Sequence, residues 1–196
     1  MSSILKVDQL QDSGGNAIIT SDGAGNITPG SLNIANAQIA SNAAIATSKL
    51  GTGALLQTVT FVTTGNSTGT TSLSYTDTVS AISITPLSSN SKILVFADHA
   101  VAISAGTSHQ RCDIRIFETT TSTTVTDKKY IGKDGTDNKL DYQIGLSGGF
   151  TNSSTAQKTF KVQGRKANGT ANESGNIELN WYNNALHNMI AMEVAG

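Results

Sequence analysis

The chain has 196 residues, 14% charged, 37% hydrophobic and 5% aromatic, with a formal net charge of −1. So nearly neutral a chain has no basic field to hold nucleic acid or an anionic membrane surface, and its 1 cysteine makes neither an intrachain disulfide nor a CxxC metal site. No apolar run approaches the roughly 20 residues of a membrane span, and MSSILKVDQLQ lacks a charged region followed by an apolar core, so neither membrane insertion nor a secretory signal is expected.

Small neutral polar residues replace the missing charge. Thr (26), Ser (22), Asn (16) and Gly (19) together make more than two-fifths of the chain. That composition suits either a disordered polar chain or a β-protein with many turns. Periodicity along the chain decides for the second.

Residues 1–30 contain the short apolar runs Ile4–Val7 and Asn16–Thr20, joined by Asp12-Ser13-Gly14-Gly15-Asn16, and a second turn, Asp22–Asn26, before Ile27. This predicts a compact β-hairpin or meander with little apolar content. Residues 31–54 are of a different kind. Ile34, Ile39, Ile45 and Leu50 recur at spacings of five, six and five with small Ala and Ser between them, which fits neither a heptad nor strict alternation. Burying four such side chains recovers far less than ordering the segment costs. One copy is therefore a flexible linker, whereas three copies around a common axis form a narrow stalk, helical or extended.

From Leu55 onward, period-2 segments recur between turn clusters: Leu55–Phe61, Ser72–Thr76, Ala81–Pro86, Lys92–Ser104, Arg111–Glu118, Thr124–Gly132, Leu140–Phe150, Gln157–Gly164, Asn176–Tyr182 and Asn188–Val194. Regular short strands with Gly and Asn turns predict an all-β, antiparallel sandwich of jelly-roll type, with barrel closure as the alternative. Lys92–Ile103 is apolar on both faces: Ile93, Val95, Ala97, Val101 and Ile103 on one, Leu94, Phe96, Ala100 and Ala102 on the other. Such a strand needs a second cover, either another subunit or the chain's own loops. Asn188–Val194 alternates in the same way.

Three phrases carry a resemblance. Ile4–Asp12 followed by Thr20–Thr28 resembles the opening of bacteriophage tail-fibre and related virion fibre proteins, those of marine and cyanobacterial phages in particular. Ile39–Leu50 resembles the stalk phrase that follows in them. Ile84-Thr85-Pro86, Ser89–Val95 and the ending Ala191–Ala195 resemble their C-terminal head. The resemblance implies a homotrimer in the virion, held to another structural protein by its N-terminus, with a head that projects outward and often touches a host-surface glycan.

Groups able to do chemistry are sparse. His99, His109 and His187 are scattered with no HxH or HExxH spacing, so no metal is expected, save one contributed by equivalent histidines around a threefold axis. Asp134–Asn138 reads as a hairpin tip. Five Asn-x-Ser/Thr sequons, at Asn26, Asn66, Asn152, Asn168 and Asn172, are about the number that chance supplies at this composition. Asp98, Asp113, Glu118, Asp141, Glu178 and Glu193 lie in predicted strands, but sequence does not give the separation that a glycosidase pair needs. Cys112 alternates with Ile114 and Ile116 as a small buried hydrophobe.

The sequence thus predicts a non-enzymatic virion fibre protein without cofactor: an attachment segment (1–30) fixed by Ile4, Leu5, Val7 and Leu10, a trimeric stalk (31–54) cored by Ile34, Ile39, Ile45 and Leu50, and a sandwich head (55–196). The alternative is a capsid-decorating or head-fibre protein with a purely structural role. Receptor contact would come from the polar loops 64–70, 104–110, 133–139, 151–156 and 166–175, whose neutral groups match sugar hydroxyls without a charge to desolvate.

Overall fold

The computed structural model describes residues 9–24, 26–29, 49–64, 68–103, 110–133, 140–167, 177–179 and 186–196. The chain divides into two compact units, residues 1–44 and 45–196.

In the first unit β1 (Gln9–Gln11), β2 (Ala17–Ser21) and β3 (Ile27–Pro29) form an antiparallel meander in that order, as the two turn signals predict. Each turn is closed by an aspartate. Asp12 Oδ1 accepts the N–H groups of Gly14 and Asn16, both at 2.9 Å, and Asn16 Nδ2 donates to Asp12 Oδ2 at 2.9 Å. Asp22 repeats this with the N–H groups of Ala24 (2.8 Å) and Asn26 (3.1 Å). The same Asp-x-x-Gly-Asn phrase is thus spelled twice, and in each copy the Asn side-chain bond leads in holding the carboxyl below its usual range. Leu10, Ile18 and Ile19 stay exposed. Ile4, Leu5 and Val7 lie outside the described residues, as do Ile34, Ile39 and Ile45 with nearly all of the stalk segment; Leu50 is described and is exposed.

Among its described residues the second unit holds ten strands: β4 (Leu55–Thr64), β5 (Thr68–Thr70), β6 (Thr76–Ile84), β7 (Lys92–Ile103), β8 (Gln110–Glu118), β9 (Thr123–Lys133), β10 (Leu140–Thr151), β11 (Lys158–Lys166), β12 (Ile177–Leu179) and β13 (Leu186–Val194). All pairings are antiparallel. One sheet runs β4-β13-β7, with β10 along the other edge of β7; β12 continues on the β13 side of β7 and carries β5 outside it. The second sheet runs β6-β11-β8-β9. Setting aside the short β5 and β12, the eight long strands are ordered first-eighth-third-sixth and second-seventh-fourth-fifth. That is the double Greek key of a jelly roll, the expected architecture.

One expectation needs correction. Ser72–Thr76 is not a strand: the Thr70 and Ser72 hydroxyls accept the N–H groups of Ser72 and Ser74, at 3.1 and 3.0 Å, a local bonding pattern that competes with a sheet ladder. The strand starts instead at Thr76 and runs unbroken to Ile84, so the predicted Ala81–Pro86 is only its second half. Asp134–Asn138, expected as a hairpin tip, lie outside the described residues; β9 and β10, on either side of them, belong to different sheets.

The core lies between the sheets. Ile93, Val95, Val101 and Ile103 of β7 face Ile114, Ile116, Phe160 and Val162 of β8 and β11, all of them fully buried. Phe150 meets Phe160 edge-on at 5.6 Å between centroids. Gly164 is required by this packing: a Cβ there would lie 2.3 Å from Leu179 Cδ2. Leu55 departs from its predicted alternation. A bulge against Val194 turns it out of the core, while Gln57, Val59 and Phe61 face inward.

The unit has two distinct ends. Leu55, Val194, Lys92 and Thr151 are in register at one of them, where the connections 85–91, 119–122 and 152–157 also lie. Thr64, Leu186, Ile103 and Leu140 mark the other, where β7 hands over to β8, β9 to β10 and β11 to β12.

Candidate interaction surfaces and buried polar groups

The histidines are less scattered than their spacing implies. His99 on β7 and His187 on β13 both point into the core, fully buried, with ring centroids 4.4 Å apart. His99 Nδ1 meets Ser80 Oγ of the opposite sheet at 2.9 Å, and His187 Nδ1 accepts the Ala100 N–H at 3.4 Å. Neither Nε2 has a partner among the described residues. Burial, aided by the His187 charge, lowers the His99 pKa to about 3; burial also lowers that of His187, opposed by Asp98. Among the described residues no group of three or more His, Cys, Asp or Glu side chains stands together to hold a metal. His109 lies outside them.

The carboxylates of the predicted strands are engaged separately. Glu118 accepts the N–H groups of Thr120 and Thr121 at 2.9 and 2.7 Å and so caps the β8–β9 turn. Glu193 accepts those of Leu87 (2.9 Å) and Ser88 (3.0 Å) and the Gln57 amide (2.6 Å), anchoring the β6–β7 connection. Burial pushes both carboxyls up, but these bonds outweigh it and hold them below the usual value. Asp113 receives Nε and Nη2 of Arg165 at 3.0 and 2.8 Å. Asp141 and Glu178 sit on β10 and β12, opposite each other's flank of Ala102 on β7. Cys112 is buried, its thiol pushed up to about 12 chiefly by desolvation, which makes it unreactive.

The outer face of the second sheet carries a cation–aromatic cluster. The Arg115 guanidinium lies 3.7 Å from the Tyr75 ring centre and 4.2 Å from that of Phe117, and Arg165 lies 4.6 Å from Tyr75. Arg115 also donates to Gln163 Oε1 (2.9 Å) and Thr124 Oγ1 (3.0 Å).

The outer face of the first sheet is apolar along β7 and β13, as the two-faced strand predicts, whereas β4 turns Thr58, Thr60 and Thr64 outward beside Val62. Its covering is divided. Ala100 and Ala102 are shielded within the chain, but Phe96 is 42% exposed, Ile190 38% and Val62 63%. Opposite Asp98, Phe96 and Leu94 the neighbouring strand β10 presents only Gly145, Ser147 and Gly149. The missing side chains leave an open groove of about 300 Å³, walled by Phe96, Ile190, Asn188 and Asp98.

Of the loops expected to touch a receptor, 151–156 lies at the Leu55 end and is tied down: buried Asn152 donates from Nδ2 to Ser88 O at 2.7 Å, which also removes this sequon from the surface. Segments 64–70, 104–110, 133–139 and 166–175 connect strand ends at the opposite end, and most of their residues lie outside the described ones. Leu10 is an exposed residue of β1. Among the described residues no helix is long and apolar enough to cross a membrane.

The fold defines an antiparallel β-sandwich protein of jelly-roll topology. No family model matches the chain, and no curated protein matches it in sequence. Among solved structures it is similar to one of infectious bursal disease virus, Gt strain (10% identity, TM-score 0.35, covering 72% of this chain and 39% of that one). It is similar also to the infectious bursal disease virus VP2 subviral particle (12% identity, TM-score 0.31, 72% and 34%). The chain thus spans about two-fifths or less of the length of the structures it matches.

Proposed function

We propose that this chain is a non-enzymatic structural fibre protein of a bacteriophage virion. It is a homotrimer, attached to another virion protein through residues 1–30, joined by a short stalk to a jelly-roll head that presents polar loops to host-surface glycans. The observation that carries the reading is the polarity of the head. Its first long strand begins at Leu55 at the end where the tight, bonded turns lie, while β4, β7, β9 and β11 finish at the other end, at Thr64, Ile103, Lys133 and Lys166. A fibre head needs that separation: one end joined to the shaft, the other free to vary and bind. The N-terminal and stalk phrases, in the order that fibre proteins use, support the same reading.

Two experiments test it. Imaging of particles with antibody against the head should place it on projecting fibres, and removal of residues 1–30 should abolish incorporation; a uniform capsid lattice position would replace the fibre by a decoration protein. On a glycan array the head should bind, and binding should be lost when 134–139 is replaced by Gly-Ser. An array without signal would remove the receptor role and leave a spacer.

A further inference from the structure

β7 has two successive neighbours along one edge, and a side chain joins them. β13 pairs with it from Lys92 to Asp98, and β12 from Val101 to Ile103. Between the two, the Ala100 N–H donates to His187 Nδ1 at 3.4 Å, so the imidazole stands where a neighbouring strand's carbonyl would be. The same ring anchors the strand end that carries it. At this end of the head β13 starts Leu186-His187-Asn188 and β4 finishes Val62-Thr63-Thr64, in register with each other. Leu186, Val62 and Thr64 are exposed, Asn188 and Thr63 are half-buried, and of these six residues only His187 is buried. We infer that His187 is a proton-operated latch: while neutral it fastens the ends of β4 and β13 to β7, and on taking a proton it releases them while the rest of the sandwich stays closed. The latch is independent of whether the chain is a fibre protein.

Nδ1 accepts the Ala100 N–H only while its lone pair is free. A proton there turns it into a donor facing a donor, and the bond is lost. The strands packed against β13 offer the new charge little. β4 has no ionisable residue, and Thr63 stands opposite the ring. β6 brings Ser80 to the pair, while its Asp77 is engaged by Lys161 and Gln163. β7 carries His99, whose ring centre is 4.4 Å away, Lys92 at its far end, and Asp98 on the outer face. Asp98 favours the charged ring, but burial outweighs it and holds His187 below the ordinary histidine value. Opening returns the ring to water, where it titrates near the ordinary value of about 6.5, so each pH unit below that favours the open ends by up to about tenfold. The opening stays local because it surrenders the burial of one polar ring, whereas Met189 and Ala191, further along β13, are locked in the core. The freed ends carry the connections 65–67 and 180–185, at the end proposed above for receptor contact.

The test is amide hydrogen exchange of the full chain at pH 7 and pH 5, corrected for the intrinsic pH dependence of exchange. Protected amides within 61–64 and 186–188, together with Ala100, should lose about tenfold or more of their protection at pH 5. That exchange should be insensitive to low denaturant, the mark of opening without global unfolding, while the amides of β8 and β11 exchange more slowly and respond to denaturant. Ends that keep their protection at pH 5, or that lose it only in step with β8 and β11 as denaturant is added, overturn the latch. His187→Asn retains an acceptor for the Ala100 N–H and does not titrate, so the acid response of the ends should vanish in it. A response of wild-type size in that variant assigns the effect elsewhere and overturns the inference. A variant whose ends are open already at pH 7 supports the anchor, and the wild-type profile then decides the response to acid.

Discussion

His99 and His187 stack in the core of the head with ring centroids 4.4 Å apart and planes inclined by 39°, and the Nε2 of each is buried without a partner among the described residues. Because His187 Nδ1 accepts the Ala100 N–H, its proton sits on Nε2, a buried donor with nothing to bond. The pair is tolerable only while both rings are neutral. The charged groups around it are few: Asp98 lies on the far face of β7, and Ser80, Thr63 and Ile144 supply no charge from β6, β4 and β10.

Acid should therefore weaken the head before its carboxylates protonate. The folded-state pKa of both histidines lies below the ordinary 6.5, that of His99 at about 3. The unfolded chain then binds protons more readily than the folded one, so stability is complete above pH 6.5 and is lost as pH falls below it, by about 1.4 kcal/mol per pH unit for His99, with His187 adding in the same direction. Thermal unfolding between pH 7 and pH 5 should show the loss, and His99→Leu should lower its slope. An unchanged slope in that variant would refute the assignment. The losses from Glu118 and Glu193, whose carboxyls are held low, begin only below about 4.5.

Glu193 holds the β6–β7 connection through the N–H groups of Leu87 and Ser88, beside the Gln57 amide of β4. Replacement by Ala leaves the Leu87 and Ser88 N–H groups without this acceptor, while Gln57 Nε2 keeps its bond to Thr85 O, and should cost about 3 kcal/mol in denaturant unfolding, with Gln recovering part of it. A loss below about 0.5 kcal/mol would mean that water replaces the carboxylate freely.

Two glycines of β10 should respond differently to alanine. At Gly148 the added Cβ would lie 2.8 Å from Val125 Cγ1 and 2.9 Å from its carbonyl oxygen, whereas at Gly145 it meets nothing within 4 Å. Gly148→Ala should destabilise by about 1–3 kcal/mol, and Gly145→Ala should stay within about 0.5 kcal/mol of wild type. Equal effects would contradict the inward and outward facing of these positions.

Tyr75 lies against two guanidinium groups, those of Arg115 and Arg165. Tyr75→Leu keeps the apolar contact but removes the ring's negative face, and should cost about 1 kcal/mol, reduced by high salt in the wild type only where the pair is exposed. A double-mutant cycle with Arg115→Met measures the coupling directly, and a coupling of zero would reduce the cluster to simple packing.

The alternation of the long strands and the two-faced character of β7 were legible in the sequence because they depend on a local pattern, the period-2 placement of Ile and Val against Thr and Ser. The N-terminal meander was legible for a similar reason, since Asp12 and Asp22 close their turns with partners no more than four residues away. What the sequence could not supply was which strand lies beside which. The pairing of His99 with His187 joins residues far apart in the chain, and nothing in their spacing hints at it. The same holds for Glu193 reaching back to Leu87, and for β9 and β10, consecutive strands that belong to different sheets.

The sparse charge and the surplus of Thr, Ser, Asn and Gly determined on their own that this chain would be built from short strands and neutral turns, because those residues favour the pleated backbone and its reversals whatever the topology. Only the tertiary structure decided that the strands would wind as a jelly roll, which buries two histidines without charge and leaves one sheet face with a glycine groove. Those outcomes follow from contacts between distant segments, set by how two sheets close over one core rather than by any run of neighbouring residues.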